Sequence, residues 1–109
     1  MDNEKFMRLI VFFDLPTKTK KDRKLYTTFR KKLLENGFFM LQYSVYCRIC
    51  KGVQISKKYI DYVKKVTPSK GNIRILQVTD KQFSNMELIV GTKTNEEKKV
   101  VGKQLIIEF

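Results

Sequence analysis

Histidine is absent from this 109-residue chain, cysteine occurs twice, and eleven acidic residues stand against twenty-three lysines and arginines. Each shortage excludes something. Without histidine the chain loses the commonest general base, so any hydrolysis has to lean on a metal ion and its bound water. Cys47 and Cys50 form a lone Cys-x-x-Cys pair. With no other cysteine or histidine, a zinc site lacks half its ligands unless a dimer completes it. A redox pair usually opens a helix after a strand, whereas these two end a predicted strand, and they read as free, mostly inert thiols. No apolar run approaches the length of a membrane span, and Met1-Asp2-Asn3-Glu4-Lys5 does not have the form of a signal peptide. A cytoplasmic protein is expected. There are no internal repeats and no low-complexity tracts.

Positive charge is what the chain has in excess. A formal net charge of +12 and a pI near 9.8 imply an acidic partner, nucleic acid or an anionic membrane surface. With no span and no leader, nucleic acid is the simpler of the two. The length, with 42% hydrophobic residues, suits one globular domain with a single modest core.

The most informative position is Asp14. Arg8-Leu9-Ile10-Val11-Phe12-Phe13-Asp14 reads as a buried strand. Leu15-Pro16 stops it, because proline cannot donate to a ladder and pushes the preceding residue out of helical space. A carboxylate is thereby left at the C-terminal edge of a strand, where ligands of open α/β sheets often bind. It either accepts turn and helix N-terminal amides or holds Mg²⁺ against a phosphate. Spacing alone favours the first role.

Downstream, Thr19-Lys20-Lys21-Asp22 has the form of a capping box with Asp in place of the usual Glu. Leu25, Tyr26, Phe29, Leu33 and Leu34 recur at helical spacing, and Asn36-Gly37 supplies a stop, predicting a helix over 20–35. Its other faces carry Lys20, Lys21, Arg23, Lys24, Arg30, Lys31 and Lys32. The cluster at its N-terminal end adjoins the Asp14 turn and reinforces the helix dipole, whereas Lys31 and Lys32 read as an ordinary solvated face. Residues 38–49 alternate like a half-buried strand but exceed the usual strand length, so a break is expected between 42 and 44. Their aromatics fit core packing better than base stacking. A second helix is predicted over 55–66, with Tyr59, Ile60, Val63 and Val66 inward and Lys57, Lys58, Lys64 and Lys65 outward. Strands are predicted at 73–78, 88–90 and 105–109, with a polar loop over 92–104.

The order strand, helix, two strand segments, helix, strand is that of an α+β ferredoxin-like βαββαβ sandwich with both helices on one face. The trailing strands are surplus to that unit. This divides the chain into a ferredoxin-like domain over 1–91 and a C-terminal loop and strand over 92–109. The exposed sheet face, the sheet edge and the apolar tail invite homodimerisation.

Several segments, in order and covering nearly the whole chain, together resemble the CRISPR-associated protein two family, the small subunit of spacer acquisition. They are the strand running into Asp14-Leu15-Pro16, the basic helix ending Glu35-Asn36-Gly37-Phe38, Gln42-Tyr43-Ser44-Val45-Tyr46, Gly71-Asn72-Ile73-Arg74-Ile75-Leu76, and Val78-Thr79-Asp80-Lys81-Gln82-Phe83. The Gln42–Tyr46 form and Lys81-Gln82-Phe83 look most like the branch that accompanies the large single-protein RNA-guided nuclease. The resemblance implies a homodimer that bridges dimers of the CRISPR integrase subunit and spans a captured DNA duplex. Some relatives are also described as metal-dependent endonucleases on RNA or DNA, with the aspartate after the first strand binding Mg²⁺. Asp14 inherits that position, as metal ligand and catalytic residue.

Three readings follow. The leading one is a non-catalytic scaffold that clamps duplex DNA through Lys18, Lys20, Lys21 and Arg23 and docks the integrase subunit through its edge and C-terminal strands. Such phosphate contacts position the backbone without reading sequence. The runner-up is a Mg²⁺-dependent nuclease acting on single-stranded RNA or duplex DNA, its site built from Asp14 of both subunits, because phosphodiester hydrolysis generally gathers several carboxylates around the metal. The third, an RNA-binding module using strand aromatics, lacks the expected basic-aromatic signature.

Overall fold

The structure, a computed structural model, describes residues 5–98. Strand β1 (Phe6–Asp14) leads into helix α1 (Lys20–Glu35), followed by β2 (Phe39–Gln42), β3 (Val45–Lys51), helix α2 (Val53–Val66), β4 (Asn72–Thr79) and a short helix α3 (Asp80–Ser84). The four strands form one sheet in the order β2-β3-β1-β4, antiparallel throughout. This is the ferredoxin-like arrangement expected from the element order. Among the described residues, no helix is long and apolar enough to cross a membrane.

Local chemistry sets the helix ends. Thr19 caps α1 and forms a reciprocal box with Asp22. At the other end Gly37, with φ 86°, lets Phe38 N–H reach the Leu33 carbonyl at 3.0 Å and Gly37 N–H reach Leu34 at 3.3 Å. These bonds satisfy carbonyls that the helix leaves without partners. Helix α2 begins at Val53, two residues before the expected start, and Ser56 N–H donates to the carbonyl of its N-cap Gly52. The long aromatic run does break, with Tyr43 and Ser44 forming the turn between β2 and β3.

Strand alternation splits β1 between two apolar layers. Met7, Leu9, Val11 and Phe13 face the helices and join Phe29, Leu33, Phe38, Tyr46, Cys50 and Val63 in the main core. Ile10 joins Cys47 and Phe83 in a smaller cluster on the other face. Phe83 belongs to α3, which docks there through Arg8: its Nε donates to Asp80 Oδ1 at 2.9 Å, and its guanidinium lies 4.2 Å from the Phe83 ring centroid. With only five residues, α3 offers too little periodicity to be read from sequence.

One predicted element is corrected. Residues 88–90 are coil, not strand, with Ile89 and Val90 more than four-fifths exposed. Met86, Leu88, Thr92 and Glu97 line a cavity with Ile10, Phe12, Leu41 and Val45. A segment laid over a sheet face has no ladder partner at either edge. The strand expected at 105–109 lies outside the described residues.

Candidate nucleic-acid interface

Asp14 stands where the sequence puts it, at the last position of β1, opposite Asn72 of β4. Alternation sends it away from the helices, onto the face shared by Arg8, Ile10 and Phe12. It is exposed. Gly71 makes this corner possible: it has φ 85°, and a Cβ there would lie 2.5 Å from the Asp14 carbonyl oxygen and 2.7 Å from Leu15 Cδ2. Any larger residue would drive the β4 entry away from the end of β1.

The amide-accepting role favoured by spacing belongs to Asp22. Asp22 Oδ2 accepts from Thr19 N–H at 3.3 Å, and Asp22 N–H donates to Thr19 Oγ1 at 3.0 Å. The Thr19 backbone N–H, helped by Lys70 with its Nζ 3.5 Å from Oδ1, holds the Asp22 carboxyl below its ordinary range. Among the described residues, no hydrogen bond or ion pair engages the side chain of Asp14. Nor do they contain any group of three or more Asp, Glu, Cys or His placed to hold a metal. Asp14 therefore stands as a carboxylate with no other acidic group gathered around it among the described residues. Mg²⁺ is commonly held by one or two carboxylates with phosphate oxygens and water completing the shell. Asp14 fits that role as a single ligand.

The basic residues divide in two. Lys18, Lys20 and Lys21 are exposed and point no charge into the fold. Arg23, also exposed, is occupied: its Nη1 donates to the Thr17 carbonyl at 3.2 Å and the Lys18 carbonyl at 2.9 Å. It holds the loop between Asp14 and α1 in place. A shallow groove on α1 is lined by Lys20, Lys21, Arg23, Lys24, Thr28 and Lys31. Lys20, Lys24 and Lys31 are spaced i, i+4, i+11, so they share one helix face. The patch thus runs farther along α1 than the N-terminal cluster, and that spacing was its signal in the sequence.

Aromatic rings buttress the same end of the sheet. Phe13 meets Phe29 edge-on at 5.1 Å, Tyr46 at 5.6 Å and Tyr26 at 5.6 Å. Phe13 and Tyr46 are core residues, whereas Tyr43, which alternation groups with Val45 and Cys47, is exposed because it sits in the turn.

The two cysteines face opposite sides of β3. Cys47 lies in the smaller cluster and Cys50 in the main core. Residues three apart on a strand cannot share a ligand. Burial pushes the Cys47 thiol up to about 11 and raises Cys50 as well, which leaves both protonated and unreactive at neutral pH.

A ferredoxin-like sheet with a free strand-end carboxylate and a basic first helix defines the structural class. Residues 7–86 match the family CRISPR associated protein Cas2, and the chain belongs to that family, which serves CRISPR adaptation together with other Cas proteins. Relatives named CRISPR-associated endoribonuclease Cas2 are similar over most of their length. The protein from Campylobacter jejuni is 51% identical over 90% of this chain and 68% of its own. That from Acidovorax ebreus is 46% identical over 93% and 99%, and that from Flavobacterium psychrophilum 45% identical over 84% and 79%.

Proposed function

We propose that this chain is the DNA-binding scaffold of the spacer-acquisition complex, a homodimer that bridges integrase-subunit dimers and holds the captured duplex. The observation that carries this reading is the exposed basic surface leading from Lys18 along α1 through Lys20, Lys24 and Lys31, with no cluster of three or more metal-ligating side chains among the described residues. Lysines on a helix face meet phosphates without reading bases. The segment from residue 92 onward serves dimer or partner docking, and the cytoplasm is where such a complex works.

A second reading has specific support. The relatives carry the name endoribonuclease, and the Asp14 side chain is free to meet a cation. In this reading Asp14 of two copies holds Mg²⁺ and phosphodiester hydrolysis follows, on single-stranded RNA or duplex DNA.

Asp14→Asn separates the two, since Asn keeps the shape and an acceptor oxygen but loses the charge a divalent ion needs. The scaffold reading expects spacer integration by the assembled complex to continue, while any Mg²⁺-dependent cleavage by the isolated protein drops by orders of magnitude. Integration lost in a variant that still dimerises and binds its partner refutes the scaffold. In parallel, Lys18, Lys20, Lys21 and Arg23 changed together to Ala should weaken duplex capture and leave the chain folded. Unchanged capture would move the DNA path, most directly to Lys57, Lys58, Lys64 and Lys65 on α2.

A further inference from the structure

We propose that Tyr43 is a stacking platform for an unpaired nucleobase, set at the β2–β3 turn beside the Asp14 end of the sheet. The inference rests on the nucleic-acid reading above and names a contact within it. Tyr43 is 73% exposed, yet its ring is not loose. It lies on the ring of Tyr26, with centroids 6.0 Å apart and planes inclined by 21°. The Tyr26 hydroxyl hydrogen-bonds Ser44 Oγ at 3.2 Å, and its ring packs on Phe13 in the core. The turn itself is pinned, because Phe13 N–H donates to the Ser44 carbonyl at 3.0 Å. One face of Tyr43 is therefore covered by an anchored ring, and the other is open to solvent. A ring already held in place loses little further freedom when a base arrives, which favours stacking.

The surroundings select a nucleobase over an apolar partner. Tyr43 and Asp14 flank the same Phe13–Ser44 hydrogen bond, so both lie at one end of the sheet, Tyr43 on the side of α1. On α1, Arg23 and Arg30 stand one turn to either side of Tyr26, and both are exposed. Gln42, also exposed, offers an amide that can donate to and accept from a base edge. The neighbouring Tyr26 hydroxyl pushes the Tyr43 phenol above its ordinary range, so the ring stays neutral among phosphates.

The test uses the whole chain and a DNA duplex with a single-stranded overhang, 2-aminopurine being placed at successive overhang positions. An RNA overhang of the same sequence and a fully paired duplex complete the set. Stacking should quench 2-aminopurine at one position. Tyr43→Ala should abolish that quenching and weaken overhang binding by about tenfold, while the fully paired duplex binds as before. Tyr43→Phe should keep both. Quenching on the deoxyribose or the ribose strand supports the platform and identifies the sugar of its ligand. Equal quenching in Tyr43→Ala and the parent chain overturns it. If the parent chain binds none of the three probes, the nucleic-acid reading itself fails.

Discussion

Asp22 is the residue through which pH reaches the start of α1. The Thr19 backbone N–H holds its carboxyl below the ordinary value, so its folded pKa lies below its unfolded one. The stabilisation it contributes is complete above the ordinary aspartate value of about 4 and is lost as pH falls through the folded value. Asp22→Asn should therefore flatten the acid limb of the stability profile and leave its slope near neutrality unchanged. Denaturation midpoints followed from pH 7 downward check this, and matching acid limbs in both proteins would contradict it. Thr19→Ala removes the other half of the box, at a cost of about 1 kcal/mol. The Thr19–Asp22 box was legible in the sequence because a cap is a local matter. Arg23 was legible only as a charge, since its bonds to the Thr17 and Lys18 carbonyls depend on how the loop folds back.

At the scale of elements, α3 is the piece whose attachment is most open to test. Arg8 is 1% exposed and Asp80 21% at their ion pair, and the Phe83 ring packs against the guanidinium. Removing Asp80 withdraws a charge-assisted bond from a buried cation. Asp80→Ala should lower stability by about 2 kcal/mol, seen as a lower urea midpoint with an unchanged m value. A midpoint that does not move would show that α3 is held by Phe83 alone. Helix α1 and the four strands follow from apolar spacing, proline and glycine stops, and an over-long aromatic run that had to break. Residues 88–90 show where that logic ends. Leu88-Ile89-Val90 has strand composition, but composition cannot supply the neighbouring edge that a strand needs.

For the whole molecule, charge and exposed apolar surface set the expectations. Phe12, Leu76, Met86, Leu88, Ile89 and Val90 are exposed, and a surface of this kind is usually covered by a partner. The chain should run as a homodimer, and light scattering that gives a single 13.0 kDa species at micromolar concentration would exclude this. Duplex binding should weaken steeply with salt and vary little with sequence. Each phosphate neutralised on B-DNA contributes about 0.9 to the slope of log affinity against log salt. A slope near zero would rule out lysines as the main contact.

The linear order of residues by itself determined the element sequence, the ends of α1, the position of Asp14 at the end of a strand, and the basic character of the helices. Each rests on interactions that reach only a few residues along the chain, such as a cap, a proline stop or an apolar stripe. Tertiary structure alone decided that β1 serves two apolar layers and that Arg8 meets Asp80 across 72 positions of sequence. It also laid Tyr43 on Tyr26. Strand pairing brings these groups together. Register between distant strands is a property of the packed sheet, because the core must choose which face of each strand it buries.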